Sequence, residues 1–380
     1  MLAKKNSLQL KIPLEEQCPA TWKCLNQGTI DTVAPGFVAG VWRKKDPNSA
    51  LVFPVGKRRL YPSSQLLTAE TYFDLASVTK VFSTASVCAA LVDRGWISWD
   101  DSVKSIISEF RFSDIQLKHL LSHTAGYHAW SPFWEEIKAN FSHVSLHKVS
   151  IQKRKEMMKK LILAVNPEVK PGEKVLYSDI SFILLGFVIE SLTQMPLENA
   201  VNQFVWKPMG LNHSFYSKTN KDCKSGVITK VAATEDCPWR GGVLQGQVHD
   251  DNCWSMGGVA GHAGAFSNIH DVLLFSKNLL NGFLSLNTLR EFWKKVEKPI
   301  NCERTLGWDT PSLGNTCLGD CFSDQSVGHL GFTGTSLWID PTQGLAVSLL
   351  SNRVHPTREN DKIKSFRKRF HNAVCDDFIK

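Results

Sequence analysis

The chain has 380 residues, which favours one large unit or two interleaved domains over a small module. Hydrophobic residues make up 43% and charged residues 21% of the composition, which excludes disorder, collagen-like repeats and coiled coil for the chain as a whole. The net charge of +8 is modest and does not indicate a nucleic-acid partner. No apolar run of about 18 residues predicts a membrane span. Residues 1–11 are basic without the apolar run of a signal peptide, so we expect a cytoplasmic protein.

The first predicted elements are two short β-rich runs at residues 36–43 and 51–57, joined by a turn signal at 46–49. Residues 78–92 are apolar or small at most positions and end at Asp93-Arg-Gly95, a helix stop. This pattern predicts a largely buried helix with Ser77 at its N-terminal end.

From about residue 100 to 282, helical segments such as 181–195 alternate with long irregular stretches. Two β-rich runs at 336–352 then surround Asp340-Pro-Thr-Gln-Gly344, a hairpin turn by composition. We therefore predict an α/β (α+β) fold in which the N- and C-terminal segments build one antiparallel sheet flanked by helices. The predicted sheet domain comprises residues 1–105 and 300–380, and the mostly helical inserted domain comprises 106–299; the two act as one functional unit.

The densest basic run, residues 362–369, has apolar residues at three- and four-residue spacing: Ile363, Phe366 and, just beyond it, Phe370. This periodicity predicts a terminal helix with a solvated basic face, which we prefer to an anion-binding patch.

Ten cysteines are too few for a disulfide scaffold in a chain of this length, so we expect reduced thiols. Cys317 and Cys321 could bridge or bind a metal, but no nearby His or Cys pair completes a zinc set. We predict no metal and no cofactor. A metallohydrolase built from some of the twelve histidines would need a ligand set such as H-E-x-x-H, which is missing.

Ser77-Val-Thr-Lys80 places a serine and a lysine one helical turn apart on one face. Burial lowers the pKa of a lysine, and a neutral amine could accept the proton of Ser77 as its hydroxyl attacks a carbonyl. The same spacing recurs at Ser145, Ser150 and Ser365, but in Lys-rich stretches where the amine would stay protonated. Ser77 is therefore the predicted nucleophile.

Tyr177-Ser178-Asp179 follows a turn at 170–173 and precedes an apolar helix, so the tyrosine would lie in a loop held by rigid structure. Such a tyrosine could carry a proton to the leaving group and activate the water that cleaves an acyl-enzyme. Tyr72-Phe-Asp74 has the same form but lies in a strand-like run and is expected to pack. Taken without Ser77, Tyr177 would also be interpreted as a packing residue.

A third polar group on a strand beside the serine has three candidates: Lys224-Ser-Gly226, His262-Ala-Gly264 and His329-Leu-Gly331. We choose His329, because only this segment leads directly into the predicted hairpin. Gly331 and Gly334 would let a substrate lie against the backbone. Lys224 is interpreted as a surface turn, and His262 as part of a tight loop bordering the cleft.

With these three motifs in this order, the sequence resembles the serine β-lactamase and penicillin-binding protein superfamily, in its class C-like branch of esterases, D-peptidases and amidases. The resemblance runs from about residue 36 to 373. Further stretches that look alike are Leu120-Leu-Ser-His-Thr-Ala-Gly126, Val248-His-Asp-Asp-Asn252 and Gly261-His-Ala-Gly-Ala-Phe-Ser267. The stretch 248–267 resembles amidases that cut between N-acetylmuramic acid and L-alanine.

Two residues depart from the superfamily pattern. Asp179 replaces the usual asparagine, so an acceptor stands where an amide donor would, and we expect it to pair with Lys80 or a substrate donor. His329 replaces lysine, which removes a permanent cation that grips the carboxylate of a β-lactam. Both changes favour esters, amides or peptide fragments over β-lactams.

The resemblance implies a serine hydrolase that works through an acyl-enzyme on a small or peptidoglycan-derived substrate. Ser77 attacks, Lys80 and Tyr177 move protons, and the backbone N–H groups of Ser77 and Phe332 stabilise the oxyanion. Asp179, His329, Gly331 and His262 border the substrate. The alternative is a catalytically silent relative that binds a ligand or partner in the same cleft; the sequence leaves the oligomeric state open.

Overall fold

The main sheet of the computed structural model, which describes residues 13–218, 225–311 and 317–379, has six strands. The strands of the protein are β1 (Gly36–Arg43), β2 (Asp46–Arg59), β3 (Gln65–Leu66), β4 (Phe73–Asp74), β5 (Phe215–Tyr216), β6 (Ala233–Cys237), β7 (Gly242–Gln245), β8 (Ala265–Ser267), β9 (Val327–Leu330), β10 (Ser336–Asp340) and β11 (Leu345–Ser351). The order in the main sheet is β3-β2-β1-β11-β10-β9, and its neighbouring strands are antiparallel. The two ends of the chain therefore build one sheet, which confirms the predicted fold class.

Helices cover both faces of this sheet and fill the middle of the chain. They are α1 (Leu14–Gln17), α2 (Pro19–Ile30), α3 (Ser86–Asp93), α4 (Val103–Ile106), α5 (Leu117–Leu121), α6 (Phe133–Asn140), α7 (Ile151–Ala164), α8 (Asp179–Thr193), α9 (Leu197–Val201), α10 (Ser225–Ile228), α11 (Asp251–Ser255), α12 (Ile269–Leu280), α13 (Leu286–Trp293) and α14 (Ile363–Phe378). Short 3₁₀ segments lie at Ala76–Val78, Leu146–Lys148 and Pro238–Arg240, and π-helical segments lie at Lys80–Ala85 and Asn202–Trp206.

The sheet lies between two layers because its central strands are apolar on both faces. Every residue of β11 is buried. On one face, α2 and α14 pack through a cluster in which Phe37 of β1 stacks on Phe366 at 4.9 Å. On the other face, α12 contacts β1 and β11, and the core there continues through the helical region. Two small sheets, β4-β8-β5 and β6-β7, also lie in the middle of the chain. The boundaries at 105/106 and 299/300 stay a prediction.

The predicted terminal helix is α14. Ile363, Phe366 and Phe370 are buried, whereas the side chains of Lys364 and Lys368 are 77% and 51% exposed. The amphipathic pattern therefore separates an apolar face, which covers the sheet, from a solvated basic face.

The first hairpin turns earlier than predicted. Its turn is at Lys44 and Lys45, and residues 46–49 already belong to β2. The register between β1 and β2 shifts between Trp42 and Arg43, and this bulge lets a two-residue connection close the hairpin. The turn-forming composition at 46–49 was therefore outweighed by strand pairing.

The predicted helix at 78–92 forms, but not as a regular α-helix. A 3₁₀ turn over Ala76–Val78 leads into the π-helical Lys80–Ala85 and then into α3. The stretch Ala76–Asp93 is long and apolar enough to cross a membrane, yet 83% of it is buried inside the fold, as expected for a core helix. The helices Asp179–Thr193 and Leu197–Trp206, which meet at a bend, are long and apolar enough for a membrane span only when the two are counted as one segment.

The expectation of reduced thiols is wrong for one pair. Cys321 and Cys375 form a disulfide, with their Cα atoms 6.1 Å apart, which is within the usual range. The pairing joins the loop before β9 to α14, where His371 Nδ1 also bonds to the carbonyl of Cys317 at 2.8 Å. Cys317 therefore does not bridge to Cys321. No spacing pattern pointed to this pair, because 54 residues separate the two cysteines.

Candidate active site

Ser77 lies half-buried in the 3₁₀ turn that opens the core helix, and the backbone that presents it is unusual. The preceding residue, Ala76, has φ +47°, a conformation that costs free energy for a residue with a side chain. The buried carboxylate of Asp74 holds this turn by accepting the N–H of Ala76 at 2.9 Å and the N–H of His249 at 2.6 Å. The strained turn is thus fixed from both sides, and it aims Ser77 into the cleft.

Lys80 is fully buried and lies against three oxygen atoms. Its Nζ donates to Ser77 Oγ at 2.9 Å and to the carbonyl of His262 at 3.1 Å, and it lies 2.7 Å from Asp179 Oδ1. Burial alone would lower the pKa of Lys80, but the charge of Asp179 and the hydroxyl of Tyr177 raise it above its ordinary value. The ion pair with Asp179 therefore opposes the predicted neutral amine, and the role of Lys80 in moving protons stays a prediction. The prediction that Asp179 pairs with Lys80 agrees with the geometry.

Tyr177 is held just before α8. Ser178 caps this helix, and its N–H donates to Nδ1 of the buried His123 at 3.0 Å. The imidazole of His123 lies 4.4 Å from the Tyr177 ring, and Lys80 Nζ lies 5.1 Å from the same ring. Burial, together with the charges of Arg304 and Lys80, holds the pKa of His123 well below its ordinary value, so this histidine is a neutral support for the tyrosine. The alternative, Tyr72, instead packs edge-on against Phe215 at 5.4 Å.

His329 lies on β9, at the edge of the main sheet, with its ring 6.0 Å from that of Tyr177. Nδ1 donates to the carbonyl of Leu330 at 2.8 Å, which leaves Nε2 as an acceptor with no hydrogen-bond partner among the described residues. Burial, together with the charges of Lys80 and Arg304, holds the pKa of His329 well below its ordinary value. The residue is therefore neutral, as expected from the exchange of lysine for histidine.

Gly331 is needed for packing within the protein. A Cβ at this position would lie 2.0 Å from Thr335 Oγ1 and 2.6 Å from the carbonyl of Leu75. Thr335 Oγ1 donates to that carbonyl at 3.0 Å, and Thr333 Oγ1 donates to the carbonyl of Asp74 at 2.8 Å. These contacts fix the turn after β9 against the strand that precedes Ser77. Packing alone therefore requires a glycine here, and its role toward a substrate stays a prediction.

His262 supports the site from below. Its buried imidazole bonds through Nε2 to Asp250 Oδ1 at 2.8 Å, while its carbonyl accepts from Lys80. Burial alone would raise the pKa of Asp250, but the charge and hydrogen bond of His262 and the N–H of Cys253 hold it well below its ordinary value.

Asp179, Asp250 and His262 have the spacing of a metal-ligand set, with one atom each within 4.8 Å of one another. Lys80 already supplies the positive charge there. Lys224 lies outside the described residues.

Phe332 follows Gly331 and is 50% exposed at the mouth of the cleft. Its ring stacks on His249 at 5.5 Å and lies 4.5 Å from the guanidinium of Arg353. Arg353 Nε also donates to the carbonyl of Phe332 at 2.8 Å. The backbone N–H of Phe332 donates to no described residue, so it is free to bind an oxygen atom. This is the property that the predicted oxyanion role requires.

The cleft has two adjoining cavities of about 410 and 580 Å³, and both are lined by Ser77, Tyr177 and Phe332. The first also includes Asp179 and His262; the second includes His329 and Arg304. Seven of the predicted residues, including Gly331 in the second cavity, therefore line one cleft, and Lys80 lies beneath Ser77.

The sequence reasoning missed Arg304. Its guanidinium lies 5.4 Å from the centroid of the Tyr177 ring, and its side chain is 3.6 Å from Asp309, which pairs with Gly328 at the edge of β9. Arg304 thus brings a permanent positive charge to a cleft in which His329 replaces the lysine of the superfamily pattern. It belongs to no recognisable motif, so no sequence signal pointed to it. Asp250 and His123 were missed as individual residues, although both lie in stretches that carried the resemblance.

The chain is similar to known proteins over most of its length. The family model described as "Beta-lactamase" matches residues 21–369. A Salmonella agona protein named "Putative D-alanyl-D-alanine carboxypeptidase" is 33% identical over 356 residues, which cover 85% of this chain and 77% of that protein.

Two solved structures share the fold. Unliganded simvastatin synthase LovD from Aspergillus terreus superposes with a TM-score of 0.72 at 17% identity, covering 96% of this chain and 99% of that one. The octameric penicillin-binding protein homologue from Pyrococcus abyssi superposes with a TM-score of 0.65 at 20% identity, covering 88% of this chain and 73% of that one. At these identities the two structures show the fold alone.

Proposed function

This chain belongs to the beta-lactamase family of serine hydrolases, and we propose that it is a peptidase of the D-peptidase type, acting through a Ser77 acyl-enzyme on short, peptidoglycan-derived peptides with a free carboxylate. The observation that carries the proposal is the close contact of Ser77 Oγ with a buried, ion-paired Lys80 at the floor of an open cleft. A silent ligand-binding protein would have no need for a strained turn that presents this hydroxyl.

The protonation of Lys80 decides which residue takes the proton of Ser77. An ammonium ion that donates to Ser77 Oγ cannot also accept the Ser77 proton. We assign that step to Tyr177, which lines the cleft beside Ser77. In this scheme Ser77 attacks the carbonyl, and the N–H groups of Ser77 and Phe332 hold the oxyanion. As its phenol oxygen takes the Ser77 proton, Tyr177 gives its own hydroxyl proton to the leaving amine, so it gains one proton and loses one. In deacylation the same relay carries a proton from the attacking water to Ser77 Oγ.

Arg304 supports the choice of a carboxylate-bearing substrate. Its guanidinium lies beside Tyr177 and in the same cavity as His329, and its only ion-pair partner among the described residues is Asp309 at 3.6 Å, a separation too long for a tight hydrogen bond. A guanidinium is the preferred partner of a carboxylate because it can donate two parallel hydrogen bonds. The name of the Salmonella agona relative, "Putative D-alanyl-D-alanine carboxypeptidase", supports the same substrate class.

The test compares an N-acylated D-alanyl-D-alanine peptide with its C-terminal amide, which has the same bond but no carboxylate. Arg304→Gln should raise KM for the free acid by roughly 10- to 100-fold, the equivalent of one or two charge-assisted hydrogen bonds, and leave the amide unchanged. Ser77→Ala should abolish hydrolysis of both substrates and the adduct with a fluorophosphonate probe.

The matched control is Arg290→Gln, which removes the same charge from an exposed position on α13. Equal effects of Arg304→Gln on acid and amide would reject the carboxylate as the recognised group. Hydrolysis that survives in Ser77→Ala, or a wild type that forms no adduct and cleaves no ester or peptide, would reject the acyl-enzyme and favour the ligand-binding alternative.

A further inference from the structure

A groove lined by three tryptophans lies on the helical side of the molecule. Trp134 on α6, Trp239 in the Pro238–Arg240 turn and Trp254 on α11 are each half-exposed and line a cavity of about 1000 Å³. Trp134 and Trp239 stack at 4.3 Å, and Trp254 meets Trp239 edge-on at 5.3 Å. Three indoles that all keep water-exposed surface in one groove are not explained by core packing, and such a patch marks a binding surface.

Charged and polar groups accompany the indoles. Lys138 Nζ lies 5.5 Å from the Trp239 ring, and the guanidinium of Arg240 lies 4.8 Å from the Trp254 ring. The Arg240 side chain is almost fully buried, and its Nε has no hydrogen-bond partner among the described residues. The wall of the groove also contains Glu135 and Gln247. The groove therefore combines flat apolar surfaces with hydrogen-bonding groups.

The groove adjoins the catalytic cleft because both share the same two walls. One wall is α11: Asp250, which caps it, lines the cleft, and Trp254, about one turn later, lines the groove. The other wall is the segment 130–134, whose Trp130 lines the cleft and whose Trp134 lines the groove.

Asn252 ties these two walls together. Its side chain accepts the N–H of Trp134 at 3.0 Å and donates to the carbonyl of Ser131 at 2.9 Å. A ligand in the groove is thus held at a fixed position relative to Ser77.

We propose that this groove binds a saccharide, specifically pyranose rings of N-acetylated amino sugars, as the non-reacting part of a substrate. The C–H groups on the face of a pyranose pack on an indole, while its hydroxyl and acetamido groups need donors and acceptors at the rim; the groove offers both. A purely apolar peptide side chain would use the indoles but leave the polar groups of the rim, Glu135, Lys138 and Gln247, without partners. The saccharide site rests on the proposed function only in that the scissile bond would lie next to it, at Ser77.

The test is binding of N,N′,N″-triacetylchitotriose to the full chain. Binding is monitored by quenching of tryptophan fluorescence and by saturation-transfer NMR. The wild type should bind, and Trp239→Ala should weaken binding at least tenfold while leaving the hydrolysis of a small p-nitrophenyl ester within twofold. Trp134→Phe, which keeps an aromatic ring, should retain part of the affinity. Trp96→Ala removes a 55%-exposed tryptophan elsewhere and is the control, with no change expected.

Two results would overturn the proposal: no saturation transfer to the saccharide from the wild type, or equal affinity in wild type and Trp239→Ala. Either result can occur while the ester is still hydrolysed through Ser77, so the saccharide site can fail without the proposed function. Loss of ester hydrolysis in Ser77→Ala with no loss of saccharide binding would support both.

Discussion

At the level of single residues, the charge of Lys80 rests mainly on the carboxylate of Asp179. Asp179 lies 2.7 Å from Nζ and opposes the desolvation that would otherwise neutralise the amine. We predict that Asp179→Asn lowers the pKa of Lys80, so the alkaline limb of the pH profile of kcat/KM should move to lower pH. A titration of kcat/KM for one ester between pH 6 and pH 11 measures this shift.

The control for this prediction is Glu173→Gln, which removes an exposed carboxylate from the same connection before α8. It should leave the alkaline limb in place. An unchanged limb in Asp179→Asn would mean that Lys80 is not held in its charged form by Asp179. A shift of the limb to higher pH would contradict the assignment altogether.

The sequence was sufficient to predict Ser77 and Lys80 because a helix converts a three-residue spacing into spatial contact. It was insufficient for the protonation of Lys80, although the pairing with Asp179 was expected, because the balance between burial and the charge of Asp179 depends on a distance that only the tertiary structure determines. Arg304 illustrates the same limit: an isolated arginine has no spacing pattern, and only the fold brings it to Tyr177.

At the level of elements, α14 positions the turn after β9. The buried Arg367 donates through one terminal nitrogen to the carbonyls of Gly331 and Thr335, both at 3.0 Å. We predict that Arg367→Met lowers the free energy of unfolding by about 3 kcal/mol, because two buried carbonyls lose a charged donor. It should also lower kcat/KM at least tenfold, since the Phe332 N–H loses its fixed position.

Urea unfolding and ester kinetics measure the two effects. Lys368→Met, the next residue on the same helix and 51% exposed, is the matched control and should change neither. Reduced stability with unchanged kcat/KM would show that α14 supports the sheet without positioning the turn.

Element prediction succeeded where the periodicity of apolar residues was strong. The β-rich runs at both ends of the chain correctly predicted the sheet. The amphipathic pattern of α14 correctly predicted a helix that packs on it. The turn of the first hairpin was placed wrongly because turn-forming residues at 46–49 can also extend a strand when β1 pairs with it. The Cys321–Cys375 pair could not be predicted, because it depends on how the loop before β9 lies on α14.

At the level of the whole molecule, buried neutral histidines make the fold sensitive to acid. Burial and the charge of Arg367 lower the pKa of His371 from 6.5 to about 4, and the pKa values of His123 and His329 are also lowered. At a pH between about 4 and 6.5, His371 binds a proton in the unfolded chain but not in the folded protein. The free energy of unfolding therefore falls as pH decreases from 6.5 toward 4. Above pH 6.5 the contribution is complete.

His371 isolates this effect because it lies on α14, away from Ser77, with Nδ1 bonded to the Cys317 carbonyl. One full proton changes the free energy of unfolding by about 1.4 kcal/mol per pH unit, and the unfolded imidazole is half protonated at pH 6.5, so His371 alone should account for roughly 1.5 kcal/mol of the loss between pH 6.5 and pH 5. We predict that His371→Asn, which keeps a donor, shows a correspondingly smaller loss in urea unfolding at these two pH values. His143→Asn, at an exposed histidine, controls for the substitution itself. Equal losses in wild type and His371→Asn would contradict the prediction, because burial of a neutral imidazole requires the two proteins to differ below pH 6.5.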